Sequence, residues 1–152
     1  MSNQWHRAPI VLVEDEPHDV LFTRHALAAA KIGNPLMVFR GAEEARHYLA
    51  TSKSAGPAVF ILDFHLDGPE TGLDFLGWLR CQPSPLGSTP PIMLTASDDP
   101  SHHRESLNLG AIVFLQKPVM SDRLVEAVQT LGFVVMTSMV TGEMGFRIIQ
   151  RP

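Results

Sequence analysis

Five short apolar runs, each followed by a stretch with helical character, make this chain an α/β protein with a five-stranded, doubly wound parallel sheet. Three observations carry that assignment. The runs are continuous rather than alternating, which suits strands buried on both faces of a sheet. The stretches between them place apolar residues at three- and four-residue spacing, as helices do. No heptad, repeat or low-complexity tract competes with the alternation of strand and helix.

The elements follow in order. Pro9 to Val13 is the first strand and runs into Glu14, Asp15 and Glu16. Pro17 opens a helix, where its missing N–H costs nothing. Val20, Leu21, His25, Leu27 and Ala28 are expected on its packed side, with an end at Gly33 or Asn34. Leu36 to Phe39 is the second strand, and Ala42 to Ala50 a short helix with Ala45, Tyr48 and Leu49 inward. Val59 to Leu62 is the central strand, ending on Asp63. HLDGPETG (His65 to Gly72) reads as a turn-rich loop before a helix from about Leu73 to Cys81, with Leu73, Leu76 and Leu79 in register. QPSPLGSTPP is a long Pro/Gly/Ser connector, expected to be mobile. Ile92 to Leu94 is the fourth strand, ending on Thr95. A polar helix over Pro100 to Leu109, stopped by Gly110, precedes the fifth strand, Ala111 to Leu115, which leads to Lys117 and Pro118. Ser121 to about Met136 reads as the last helix, with Leu124, Val128 and Leu131 on one face.

Composition excludes several classes. The 152 residues are enough for one domain that buries about 68–70% of its unfolded surface without a disulfide or metal staple. Twelve basic against sixteen acidic side chains, with no basic stripe, argue against direct binding of nucleic acid. No apolar run approaches the ~20 residues of a membrane span, and Met1 to Ala8 is too polar for a signal peptide. Cys81 is the single cysteine, read as structural at a helix end, so a cytoplasmic setting is expected.

In an open α/β sheet, ligands gather outside the carboxyl ends of the strands. Here those ends supply Glu14 and Asp15, then Asp63, then Thr95, then Lys117. Crowded carboxylates repel one another unless a cation neutralises them. A hard divalent ion such as Mg²⁺, held by a few carboxylates and its own waters, answers that need. Asp63 can then act as a nucleophile towards phosphorus, forming an acyl phosphate. Mg²⁺, the Lys117 ammonium and the Thr95 hydroxyl would share the charge of the phosphoryl oxygens.

Four motifs in order, VEDEP (Val13 to Pro17), ILD (Ile61 to Asp63), LTAS (Leu94 to Ser97) and QKP (Gln116 to Pro118), make the chain from about Ala8 to Met136 resemble a receiver domain of two-component response regulators, a flavodoxin-like fold. The resemblance implies that Asp63 is the phosphoacceptor and that Glu14, Asp15, Asp63 and the carbonyl of His65 hold Mg²⁺. It assigns Thr95, Lys117 and the backbone at Ala96 to the phosphoryl oxygens. Thr95 and Phe114 take the places of the family's switch pair, which reshapes the surface around the fifth strand on phosphorylation. VEDEPHDV, the roomy connector and the long final helix are similar to the single-domain regulators that pair with phytochrome histidine kinases. Two departures lie beside the phosphoacceptor. Asp67 stands where the family usually has Pro, and Thr71-Gly72 falls one residue later than the family's Asp-Gly. His65 and Ser97 occupy positions that tune dephosphorylation in the family.

Taken singly, each site residue also has a plain reading. Asp15 caps a helix, Glu16 decorates its first turn, Thr95 lies in a turn, Lys117 is solvated and Phe114 is core. His102 and His103 are adjacent, so on a helix they diverge and read as exposed polar residues. The expected division is a receiver domain over 1–136 and a tail over 137–152. That tail is either a dimerisation arm or disordered. Phe133, Val134, Val135, Met136, Met139 and Val140 offer more apolar surface than one docked helix face uses, and a homodimer through the last helix and tail is expected. With sixteen residues after Met136, output must come through protein contacts. Two rival readings remain: a phosphatase with an Asp nucleophile, against which His65 stands where a second Asp is usual, and a receiver-like dimeric scaffold that is never phosphorylated.

Overall fold

The protein is described by a computed structural model over residues 8–51, 57, 59–66, 68–84, 86–96, 104, 108, 113–131, 134–138 and 145–149, the last two segments as backbone only. Five parallel strands, β1 (Ile10–Val13), β2 (Leu36–Phe39), β3 (Val59–Asp63), β4 (Pro91–Thr95) and β5 (Val113–Gln116), form one sheet in the order β2-β1-β3-β4-β5. The helices are α1 (Pro17–Ala29), α2 (Ala42–Thr51), α3 (Gly72–Arg80) and α4 (Ser121–Thr130). Ala111 and Ile112 of the expected fifth strand lie outside the described residues, as does most of the helix expected over Pro100 to Leu109. Arg104 and Asn108 of that helix are described, and both are helical.

The continuous apolar runs reflect a sheet covered on both faces. Ile10, Leu12, Val59, Ile61, Ile92, Leu94, Val113 and Leu115 point to one side, where Ala26 and Leu27 of α1 and Leu124, Ala127 and Val128 of α4 close the core. The alternate residues Val11, Val13, Phe60, Leu62 and Met93 point to the other side, against Ala42 and Ala45 of α2 and Phe75, Leu76 and Leu79 of α3. Each central strand is therefore apolar up to its carboxyl end, because both of its faces are core.

Several details differ from expectation. The packed side of α1 is Thr23, Ala26 and Leu27, while Leu21, His25 and Ala28 are exposed. That helix ends before Lys31, whose φ of +56° takes the left-handed turn more often given to glycine. The final helix stops at Thr130 rather than near Met136. Beyond it, β6 (Val134–Ser138) pairs antiparallel with β7 (Gly145–Ile149), Val134 opposite Ile149 and Ser138 opposite Gly145. The β-branched run Val134, Val135 and Thr137 favours strand over helix. Within the connector before β4, Leu86–Ser88 forms a 3₁₀ turn, and the Arg80 guanidinium donates to the carbonyls of Gly87 (3.0 Å) and Thr89 (3.2 Å). Cys81 is exposed just past α3. Among the described residues no helix is long and apolar enough to cross a membrane.

Candidate functional site

The strand order reverses direction between β1 and β3, and such a switch point opens a crevice at the carboxyl ends of the strands. Two acidic strand ends flank it. Val13 lies beside Leu62 in the register, so Glu14 follows on next to Asp63. Asp63 pairs with Leu94, and Thr95 with Gln116. Backbone bonds carry the ladder past the strand ends: Glu14 N–H to the Phe39 carbonyl (2.9 Å), Phe64 N–H to that of Leu94 (2.8 Å), and Lys117 N–H to that of Thr95 (2.8 Å). The Lys117–Pro118 peptide is cis.

Glu14, Asp63 and Thr95 are buried, at 0%, 3% and 3% exposure, while Asp15 is partly open. Carboxylate oxygens of Glu14, Asp15 and Asp63 lie within 4.8 Å of one another. The Lys117 ammonium enters the same space, donating to Asp63 Oδ2 (2.8 Å), Asp19 Oδ2 (2.9 Å) and Glu14 Oε1 (3.2 Å). The other oxygen of Asp63, Oδ1, accepts the backbone N–H of His65 (3.1 Å). Both lobes of the Asp63 carboxylate are thus held, and its plane is set by the turn after β3 and by β5.

The charges shift one another's protonation. Burial pushes the Glu14 carboxyl up to about 8, and the hydrogen bond and negative charge of Asp63 push the same way, with Lys117 opposing them. Burial works against the Lys117 ammonium, yet its bonds to Asp63 and Asp19 and the charges of Asp63 and Glu14 outweigh that cost and raise its pKa. One ammonium faces four acidic side chains, Glu14, Asp15, Asp19 and Asp63. Buried Glu14 Oε2, 3.1 Å from Lys117 Nζ, has no hydrogen bond among the described residues. A buried, underprovided carboxylate oxygen within an all-oxygen acidic group fits a small hard divalent cation such as Mg²⁺.

The remaining candidate residues take these places. Ala96 is exposed directly after Thr95, and His65 is exposed with its ring edge-on to Phe64 (5.1 Å between centroids). Phe114 is half-buried against the α2–α3 side of the core. Thr95, Phe114, Lys117, Met120 and Arg123 line one cavity of about 710 Å³ between β5 and α4. Glu16, not Asp15, is the N-cap of α1, accepting from the His18 N–H (3.3 Å). Ser97, His102 and His103 lie outside the described residues.

Sequence reasoning missed three supports. Asp19, in the first turn of α1, is a direct partner of Lys117; only the acidic residue three past Glu16 in VEDEPHDV hinted at it. Arg46 of α2 pairs through its two terminal guanidinium nitrogens, Nη1 and Nη2, with the Glu70 carboxylate, tying the loop after β3 to α2. Thr71 and Asp74 form a reciprocal capping box at the start of α3. Gly72 lies so close to β3 that a Cβ there would sit 2.1 Å from the Asp63 carbonyl oxygen, and its N–H donates to the Phe64 carbonyl (3.0 Å). The shifted Thr71-Gly72 pair therefore gives a capped helix packed on the backbone of the central acid.

Comparison with known proteins agrees with this architecture. The bacteriophytochrome response regulator RtBRR is 32% identical, with a TM-score of 0.78 over 88% of this chain and 82% of that one. The bacteriophytochrome response regulator AtBRR is also 32% identical, with a TM-score of 0.75 over 89% of this chain and 98% of that one. The sensory/regulatory protein RpfC of Xanthomonas campestris is 32% identical over 103 residues, 67% of this chain but only 14% of that much longer protein. A family model described as the response regulator receiver domain matches residues 10–129. With its two-faced parallel sheet and its acids gathered at the switch point, the chain belongs to the response regulator receiver domain family and to phosphorelay-type signalling.

Proposed function

We propose that this chain is a single-domain response regulator that takes a phosphoryl group from the phosphohistidine of a sensor histidine kinase onto Asp63. The observation that carries the proposal is the Asp63 carboxylate, buried among acids and held at 2.8 Å by Lys117. Glu14, Asp15, Asp63 and the carbonyl of His65 would hold Mg²⁺, which when bound offsets the negative charge of the acids and of the incoming phosphoryl oxygens.

An oxygen of Asp63 attacks phosphorus, the P–N bond to the donor imidazole breaks with its electron pair going to nitrogen, and the ring, already protonated at its other nitrogen, leaves as neutral imidazole. Lys117, the Thr95 hydroxyl and the backbone N–H at Ala96 bind the phosphoryl oxygens. Water later attacks phosphorus, releasing inorganic phosphate and restoring the carboxylate. The protein is the acceptor in this exchange and assists it, without turning over a substrate pool of its own. Between the two events Thr95 follows the phosphoryl group, and Phe114 moves within the cavity beside β5, altering the surface read by a partner.

Similarity to two bacteriophytochrome response regulators, one matched over 98% of its length, supports a phytochrome-type kinase as donor and a stand-alone receiver as the unit. The paired strands β6 and β7 form a second sheet of their own, and because a two-stranded sheet gains from a further surface this supports a homodimer through the tail. The setting is cytoplasmic, with no direct nucleic-acid or membrane contact. Incubating the protein with an autophosphorylated, radiolabelled phytochrome-type kinase tests the proposal. Label is expected to move to the wild type and not to Asp63→Asn. Label that stays on the kinase in both cases points to the unphosphorylated scaffold.

A further inference from the structure

The three donors of the Lys117 ammonium go to three carboxylates from three elements: Glu14 after β1, Asp19 in the first turn of α1, and Asp63 at the end of β3. Two of these, Glu14 and Asp63, also belong to the oxygen cluster fit for a divalent cation, whereas Asp19 does not. A cation in that cluster competes with Lys117 for Glu14 and Asp63 and leaves Asp19 alone. A lysine side chain is a flexible four-carbon stem with a point charge at its tip, so its position depends on what holds the tip. The pair is partly buried, with 15% and 24% of the two side chains exposed, so solvent screens it less than a surface pair.

We infer that Asp19 is a positioning residue for the phosphoryl chemistry: it is the anchor that keeps Lys117 Nζ at the mouth of the site when the metal and the phosphoryl group occupy Glu14 and Asp63. Asp19 touches neither phosphoryl group nor metal in this account and acts only through Lys117. The arrangement also explains how one ammonium serves both states. In the resting protein it bridges β1, α1 and β3; in the phosphorylated one it exchanges the Asp63 oxygen for a phosphoryl oxygen while its hold on α1 persists. The inference rests on the proposed phosphoacceptor role of Asp63, but the Lys117–Asp19 coupling can be measured without it.

The test is a double-substitution cycle of Asp19→Asn and Lys117→Gln, with Asp19→Glu as the charge-preserving control. Two readouts are used: phosphorylation rate from acetyl phosphate at saturating Mg²⁺, and the urea midpoint without Mg²⁺. Asp19→Asn is expected to slow phosphorylation about tenfold, within the range by which neighbours in one ion-pair network couple. Asp19→Glu restores most of the rate. In the Lys117→Gln background, Asp19→Asn changes the rate less than about twofold and raises the urea midpoint, since Asp19 then faces only like charges. Equal fold-losses in both backgrounds, or no loss in the wild type, overturn the inference. If the wild type takes no phosphoryl group at all, the Asp63 proposal fails instead. The urea cycle alone then decides whether Asp19 and Lys117 are coupled.

Discussion

Glu14 is the residue at which the electrostatics of the site become measurable. Without metal its carboxyl titrates near 8 instead of its ordinary 4.5, chiefly because it is buried and secondly because Asp63 is beside it. Between those two values the folded chain holds a proton that the unfolded chain has released. The stability of the metal-free protein therefore falls as pH rises through that window, and below it Glu14 imposes no cost. Urea midpoints in the presence of a chelator are expected to show this decline, and Glu14→Gln to flatten it. An unchanged slope in the variant would mean that the burial and the Asp63 contact are not what raise the proton affinity. Mg²⁺ held by Glu14 as proposed would displace the same proton, so its affinity is expected to rise over the same window, with proton release detectable by calorimetry in buffers of different ionisation enthalpy. At this scale the sequence was informative about residue type and blind to partnership. Glu14, Asp15, Asp63, Thr95 and Lys117 each follow a buried run, which is why their convergence was legible. Asp19 reaches Lys117 across 98 positions of chain, a separation with no local signal.

At the scale of elements, the start of α3 carries more weight than its length implies. Thr71 caps it, Asp74 returns the hydrogen bond, and Gly72 packs directly on the Asp63 carbonyl. Gly72→Ala forces the helix and the end of β3 apart, with an expected loss of about 1–3 kcal/mol by denaturant unfolding and slower phosphorylation of the displaced Asp63. Thr71→Ala removes the cap alone, at a cost of about 1 kcal/mol and with a smaller effect on phosphorylation. If both substitutions behave alike, the close approach at Gly72 is not what positions Asp63. Element types over the sheet were legible because a strand with core on both faces leaves an unbroken apolar run. Helix ends were less so. Nothing local marks Lys31 for a left-handed turn. The run after Thr130 is apolar enough for a helix face, but its β-branched residues decide for a strand. The exposed Leu21 on α1 likewise misdirected the helix face, since Thr23 takes the buried position between Val20 and Leu27.

For the whole molecule, the reversal of strand order between β1 and β3 brings two acidic strand ends together. The core on both sides keeps them in register. The acids at the switch point and the cavity lined by Phe114 and α4 therefore lie along one sheet. The paired strands beyond α4 are proposed above as the dimer contact. Truncation after Leu131 is expected to leave the receiver folded by circular dichroism and to convert a dimer to a monomer by light scattering. A full-length protein that is already monomeric, before and after phosphorylation, would remove the tail from the account. Whether Asp63 accepts a phosphoryl group with the help of a divalent cation is read from intact-protein mass after treatment with acetyl phosphate. A gain of one phosphoryl group that requires Mg²⁺ and is absent in Asp63→Asn is expected. No gain in the wild type, or an equal gain in Asp63→Asn, would contradict it.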